Sequence, residues 1–185
     1  RHVEGLLASS SGELPFTLVS LRRLGCSVLR RTLSDSHYSA LGEVYVRSPD
    51  HRPRLFNVFV DEKQLMHLSC EGLTVATSLG SPERNCALQG PVLAPGDEFF
   101  VLNAVAPAHC VFRPVVLGRH QVLRIELDAH SHERAVVVFD GVEMEALDHG
   151  QSLQIAPIES SLELVTLDLP RHWAARVRRF LAEAR

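Results

Sequence analysis

Residues 54–70 read RLFNVFVDEKQLMHLSC, and the fold turns on how they are read. Apolar and polar residues recur at period two over 54–62, the mark of a half-buried strand. A second run, QLMHLSC (64–70), resumes across a tight DEK turn, so the stretch predicts a β-hairpin. Working outward, EVYVRS (43–48) precedes it and LTVATS (73–78) follows. EFFVLNAV (98–105), CVFRPVVL (110–117), QVLRIEL (121–127) and RAVVVFD (134–140) continue the series. SLQIAPI (152–158) and LELVTLDL (162–169) complete it. The pair Asp140-Gly141 is a strong turn signal, because type I′ hairpins need positive φ at both central positions. About ten short strands at close spacing imply an all-β sandwich or barrel, mostly antiparallel.

Helix is scarce. LPRHWAARVRRFLAEAR, at the end, predicts one over 170–185, with Pro170 in the first turn and Trp173, Val177, Phe180 and Leu181 on one apolar stripe. Residues 14–33 fit helix and strand equally. CEGLTVATSLGSPERNCALQGP (70–91) reads as a strand, a small-residue loop and a short helix. Loops of that make receive nucleotides, because exposed backbone N–H groups can meet polar ligand atoms. Leu79, Pro82, Glu83 and Arg84, however, stand where such a loop wants small, adaptable residues.

The 185 residues carry a net charge of −3, with 45% hydrophobic and 22% charged side chains. That balance predicts a globular chain and argues against a dedicated nucleic-acid binder, which needs a basic face. No apolar run reaches the roughly 18 residues of a membrane-spanning helix. The start, RHVEGLLASSSGELPF, has no initiator Met and too short an apolar stretch for a signal peptide, which predicts sequence upstream. Cys26, Cys70, Cys86 and Cys110 have no metal-type spacing and read as buried free thiols rather than a disulfide pair. An intracellular setting follows: the cytoplasm, with the mitochondrion as the alternative. His130, His132 and His149 are the best metal candidates, against the plainer reading of DAHSHER as a polar hairpin tip, and no metal is expected.

Four stretches, in order, resemble the C-terminal domain of the NAD kinase family. ALGEVYV (40–46) is similar to its A-L-N-E strand, and CEGLTVATSLGS (70–81) to its G-D-G-x-x-x-S-T-P-T-G-S loop. CVFRPVVL resembles its S-F-R-P segment. VVVFDG (136–141) with HGQSLQI (149–155) resembles its F-D-G and H-G-D-S-I pair. Diacylglycerol and sphingosine kinases share the two-domain layout, but the F-D-G and F-R-P matches favour the NAD kinase branch.

The resemblance implies a two-layer β-sandwich that forms most of an NAD site and the contacts of a homo-oligomer. It assigns residues 36–169 to the sandwich, 170–185 to the C-terminal helix and 1–35 to a segment leading from an N-terminal α/β domain. The complete enzyme would move the γ-phosphate of ATP, held with Mg, or of polyphosphate, to the 2′-hydroxyl of NAD's adenosine ribose. Its G-G-D-G motif, which belongs to the N-terminal domain, occurs nowhere in these residues. No catalytic residue is therefore assigned, no cofactor is expected to stay with this segment, and the segment alone is expected to be inert. The substrate-binding positions carried over are Glu43, Glu71, Thr77, Gly80, Ser81 and Arg84. Gly42 stands where the family has asparagine, Glu71 where it has aspartate, and Pro82-Glu83-Arg84 where it has Thr-Ala-Tyr. Dinucleotide binding is accordingly expected to be weak. The alternative is a non-catalytic module for oligomerisation or regulation. For Arg84, two readings stand: contact with a nucleotide, or a pair with Glu83 or another surface carboxylate.

Overall fold

A computed structural model describes residues 16–30, 34–108, 112–131, 133–166, 173–175 and 177–179. Twelve strands lie among them: β1 (Thr17–Leu29), β2 (Ser36–Ala40), β3 (Glu43–Arg47), β4 (Arg54–Val60), β5 (Lys63–Cys70) and β6 (Gly72–Thr77). After the short helix α1 (Arg84–Ala87) come β7 (Phe100–Val105), β8 (Val115–Leu117), β9 (Leu123–Leu127), β10 (Ala135–Phe139), β11 (Val142–Leu147) and β12 (Ser152–Thr166). They form two six-stranded antiparallel sheets, ordered β2-β1-β12-β9-β4-β5 and β11-β10-β3-β6-β7-β8. The expected all-β sandwich is what the chain forms.

The opening hairpin is β4 and β5, registered Phe56↔Leu68 and Val60↔Lys63. Asp61 and Glu62 make its turn with φ of 49° and 62°, a type I′ geometry without glycine. The Asp61 carboxylate accepts the N–H of Val122, tying the turn to the neighbouring strand (2.9 Å). Asp140 and Gly141, with φ of 48° and 82°, make the equivalent turn between β10 and β11.

In the first sheet, alternate residues point inward: Phe56 and Val58 on β4, Leu123, Ile125 and Leu127 on β9, Leu153 and Ile155 on β12. They meet Val44, Val46, Leu73, Val75, Phe100, Leu102, Val137 and Phe139 of the second sheet in one continuous core. The middle of the second sheet is covered on its other face too. Nearly every residue of β3, β6, β7 and β10 is buried.

Three readings change. The segment left open between helix and strand is β1, because Leu24, Cys26 and Val28 alternate into the core while β12 and β2 flank it. The two strands expected at 152–158 and 162–169 are one strand, β12, which keeps pairing with β1 through a register shift at Arg22/Arg23. DAHSHER does not cap a hairpin; it crosses from β9 in one sheet to β10 in the other. β2 and β11 were not foreseen, and both lie at sheet edges. Cys26 is a buried free thiol, Cys70 is buried, and Cys86 is half-buried and free, while Cys110 lies outside the described residues. At the end of the chain 173–175 and 177–179 are helical, and the rest of the expected helix lies outside the described residues. Among the described residues no helix is long and apolar enough to cross a membrane.

Candidate functional site

At one end of the second sheet, β3 begins and β6 ends side by side, with Glu43 opposite Ala76. The chain before Glu43 is held by Asp140. Its Oδ1 accepts the N–H groups of Gly42 (2.7 Å) and Glu43 (2.9 Å), and its Oδ2 accepts that of Leu41 (2.8 Å). Asp140 is thus more than a turn residue: its carboxylate neutralises three donors at the mouth of the sheet.

Thr77 grips the same segment from β6. Its N–H donates to the Gly42 carbonyl (2.9 Å), and its hydroxyl lies 2.6 Å from the Leu41 carbonyl. Gly80 then crosses over Gly42 so closely that a Cβ on it would lie 2.1 Å from the Gly42 oxygen. Only glycine fits that crossing. Ser81 is fully buried; its hydroxyl donates to the Ser78 carbonyl (3.1 Å) and accepts the N–H of Leu93 (2.9 Å), closing the loop. The Asn85 side chain donates to the carbonyls of Ser81 and Pro91, and Asn103 of β7 donates to Asn85 Oδ1 (3.1 Å). Those bonds seat α1 on the outer face of the sheet.

Glu43 sits under that helix, with 8% of its surface exposed. Arg84 Nε donates to Glu43 Oε1 (3.0 Å), and the Thr74 hydroxyl donates to Oε2 (3.1 Å). The Arg84 guanidinium also stands 4.1 Å from the centre of the Tyr45 ring, in cation–π contact. Burial pushes the Tyr45 phenol above its ordinary pKa, and the Arg84 charge opposes that. Tyr45 packs with Val136 and Val138 in a small apolar cluster on the same face.

The six expected positions divide three ways. Glu43 and Arg84 touch. Thr77, Gly80 and Ser81 shape the loop beside them through backbone contacts. Glu71 lies at the other end of β6, roughly 20 Å of strand from Thr77 at about 3.3 Å per residue, paired with His51. The partner of Arg84 is the buried Glu43, from a strand 41 residues earlier, so the surface-pair reading gives way.

Sequence reasoning passed over Tyr45, Thr74, Asn85 and Asn103. Thr74 and Asn103 carried a usable signal, since each is a polar residue inside an otherwise apolar strand and must find a partner when buried. As for the histidines, His130 Nδ1 lies 2.8 Å from Asp128, His149 is in the turn before β12, and His132 lies outside the described residues. Among the described residues no three His, Cys, Asp or Glu side chains converge on a metal position.

The sequence model of the ATP-NAD kinase C-terminal domain matches residues 42–167. The chain belongs to that family. As a member of the NAD kinase family it is 27% identical over 142 residues to the NAD kinase of Chlorobaculum tepidum, covering 75% of this chain and 50% of that protein. It is 28% identical over 146 residues to the NAD kinase of Heliobacterium modesticaldum, covering 78% and 51%. An uncharacterised kinase of Schizosaccharomyces pombe is 26% identical over 148 residues, covering 76% and 28%. The chain spans about half the length of the NAD kinases it matches.

Yeast NADH kinase, solved with NADH, superposes with a TM-score of 0.79 at 19% identity, covering 89% of this chain and 48% of that one. An NAD kinase from Archaeoglobus fulgidus, solved with ATP, gives 0.68 at 24%, covering 87% and 60%. At those identities the likeness is one of fold. The β-sandwich of this NAD kinase family domain is therefore the family's own.

Proposed function

We propose that this chain is the dinucleotide-binding half of an NAD kinase, and that NAD docks against the end of the second sheet formed by Glu43, Thr77, Gly80, Ser81 and Arg84. The observation that supports this reading most is Glu43 itself, a buried carboxylate at the start of β3 inside the family match. A carboxylate there has no packing use, and removing it from water is costly unless donors meet it. Ribose hydroxyls are such donors. The loop 77–81 stands beside it with its backbone already fixed, so binding would demand little ordering of the chain.

Phosphoryl transfer depends on positioning the phosphate and neutralising its charge. Residues 1–185 hold no G-G-D-G segment, so catalysis needs groups from outside this stretch. ATP with Mg is the donor we assign to the complete enzyme, and polyphosphate is the alternative donor. Glu71, apart from the cluster and held by His51, is the weakest of the assigned positions. The domain limits we adopt are 36–169 for the sandwich and 170–185 for the helix, with 1–35 as the lead from an N-terminal domain. The protein assembles as a homo-oligomer in the cytoplasm or mitochondrion.

One observation favours a second reading: Arg84 already satisfies Glu43, as it would in a non-catalytic oligomerisation or regulatory module. The full-length protein incubated with NAD, ATP and Mg decides between them. The first reading predicts NADP from the full-length protein and none from residues 1–185 alone. The second predicts no NADP from either, and a stable oligomer in sedimentation without nucleotide.

A further inference from the structure

We propose that Arg84 is a built-in competitor for the dinucleotide: its guanidinium occupies Glu43, and a ligand reaches that carboxylate only after the Arg84 side chain has swung away. The inference rests on the assignment of the site to a dinucleotide.

Both oxygens of Glu43 are engaged, Oε1 by Arg84 and Oε2 by Thr74. The flat face of Tyr45, on the same strand as the carboxylate, lies under the same guanidinium. One side chain therefore covers the acceptor and the stacking platform together. The four members are not equally mobile. Glu43, Tyr45 and Thr74 are buried on central strands, whereas the Arg84 side chain keeps 40% of its surface in water.

The helix that carries Arg84 would stay in place. Asn85 anchors it to Ser81, Pro91 and Asn103 through side-chain hydrogen bonds that do not involve Arg84. Opening is thus a rotation of one partly solvated side chain, with no backbone rearrangement. Once it opens, Glu43 is a buried charge short of a donor and Arg84 is a free cation a few ångströms away. A ligand with vicinal hydroxyls meets the first demand, the hydroxyls donating to Glu43 in place of Arg84.

The test uses the full-length protein with Arg84→Ala and Arg84→Tyr. The tyrosine variant keeps a hydroxyl donor near Glu43, which guards against a fold lost to an unpaired buried charge. NAD affinity is read by calorimetry, and the contact itself by following the Tyr45 phenol as a function of pH with isotope-labelled tyrosine. Both variants are expected to bind NAD about tenfold more tightly than the wild type. Tyr45 should titrate at higher pH once the nearby cation is gone. Equal or weaker NAD binding in both variants, with the wild type binding, overturns the inference and leaves the site assignment intact. An unmoved Tyr45 titration overturns it as well, by showing that the guanidinium does not sit on that ring. If Tyr45 moves but no form of the protein binds NAD, the site assignment falls and the inference with it.

Discussion

One carboxylate, that of Asp140, accepts three backbone N–H groups from a segment 97 to 99 residues away. Asp140→Ala would leave those donors without a partner beside a buried sheet end. We expect a loss of about 3 kcal/mol, since bonds to a charged acceptor and orphaned donors each weigh on the order of 1–3 kcal/mol. Urea unfolding measures it, and a loss within 0.5 kcal/mol of zero, about the scale of an ordinary surface change, would contradict the role. Gly80→Ala puts a methyl into the Gly42 carbonyl and should cost at least about 2 kcal/mol, or displace the loop and weaken NAD binding. Melting and NAD titration of that variant read both effects. Neither role was legible locally. Asp140-Gly141 announces a turn, but what the carboxylate does is set by Gly42 and Glu43 on another strand. Arg84 is the same case: its neighbours in sequence suggest Glu83, and its partner in space is Glu43.

Hairpins were the legible elements, because turn chemistry and hydrophobic period are local properties. The β4–β5 hairpin was readable although its turn, Asp61-Glu62, holds two L-residues at positive φ. Glu62→Gly relieves that strain at the cost of one exposed ion pair to Arg124, itself of small value. We expect a gain of roughly 0.5–1 kcal/mol, seen as a higher melting temperature with the fold unchanged. Lower stability would show that the Arg124 contact outweighs the backbone term. The elements that were missed or misdivided each have a local cause. β2 is a polar edge strand, SHYSA, with alternation but little apolar content. β12 reads as two strands because Pro157 and the Ser160-Ser161 pair suggest a break, yet β1 runs alongside and holds it in one ladder. β3, β6 and β10 were legible as strands although nearly all their residues are buried on both faces.

Across the whole molecule, acid weakens the fold through carboxylates that the folded state holds ionised. The backbone N–H of His130, and then its ring, hold the Asp128 carboxyl down to about 2. The hydroxyl of Ser48 does the same for Asp50, also to about 2, helped by Arg52 and Arg54. Both lie below the unfolded value, so folding releases protons near these groups. The stability they contribute is complete above pH about 4 and is lost as pH falls towards 2. Asp128→Asn should flatten that acid limb, as read from urea midpoints between pH 5 and 2; an unchanged slope would contradict the assignment.

The fold class was open to sequence reasoning because a sandwich advertises itself through many short strands. The pairing of β3 with β6 and β10, which assembles the site, was not, because it joins residues far apart in the chain. The account as a whole rests on that assembled end being a dinucleotide site. Calorimetric titration of NAD into the full-length protein tests it most directly. The account predicts saturable binding in the micromolar-to-millimolar range that Glu43→Ala abolishes or weakens at least about tenfold. No binding to the wild type, or equal binding to the two proteins, would contradict it.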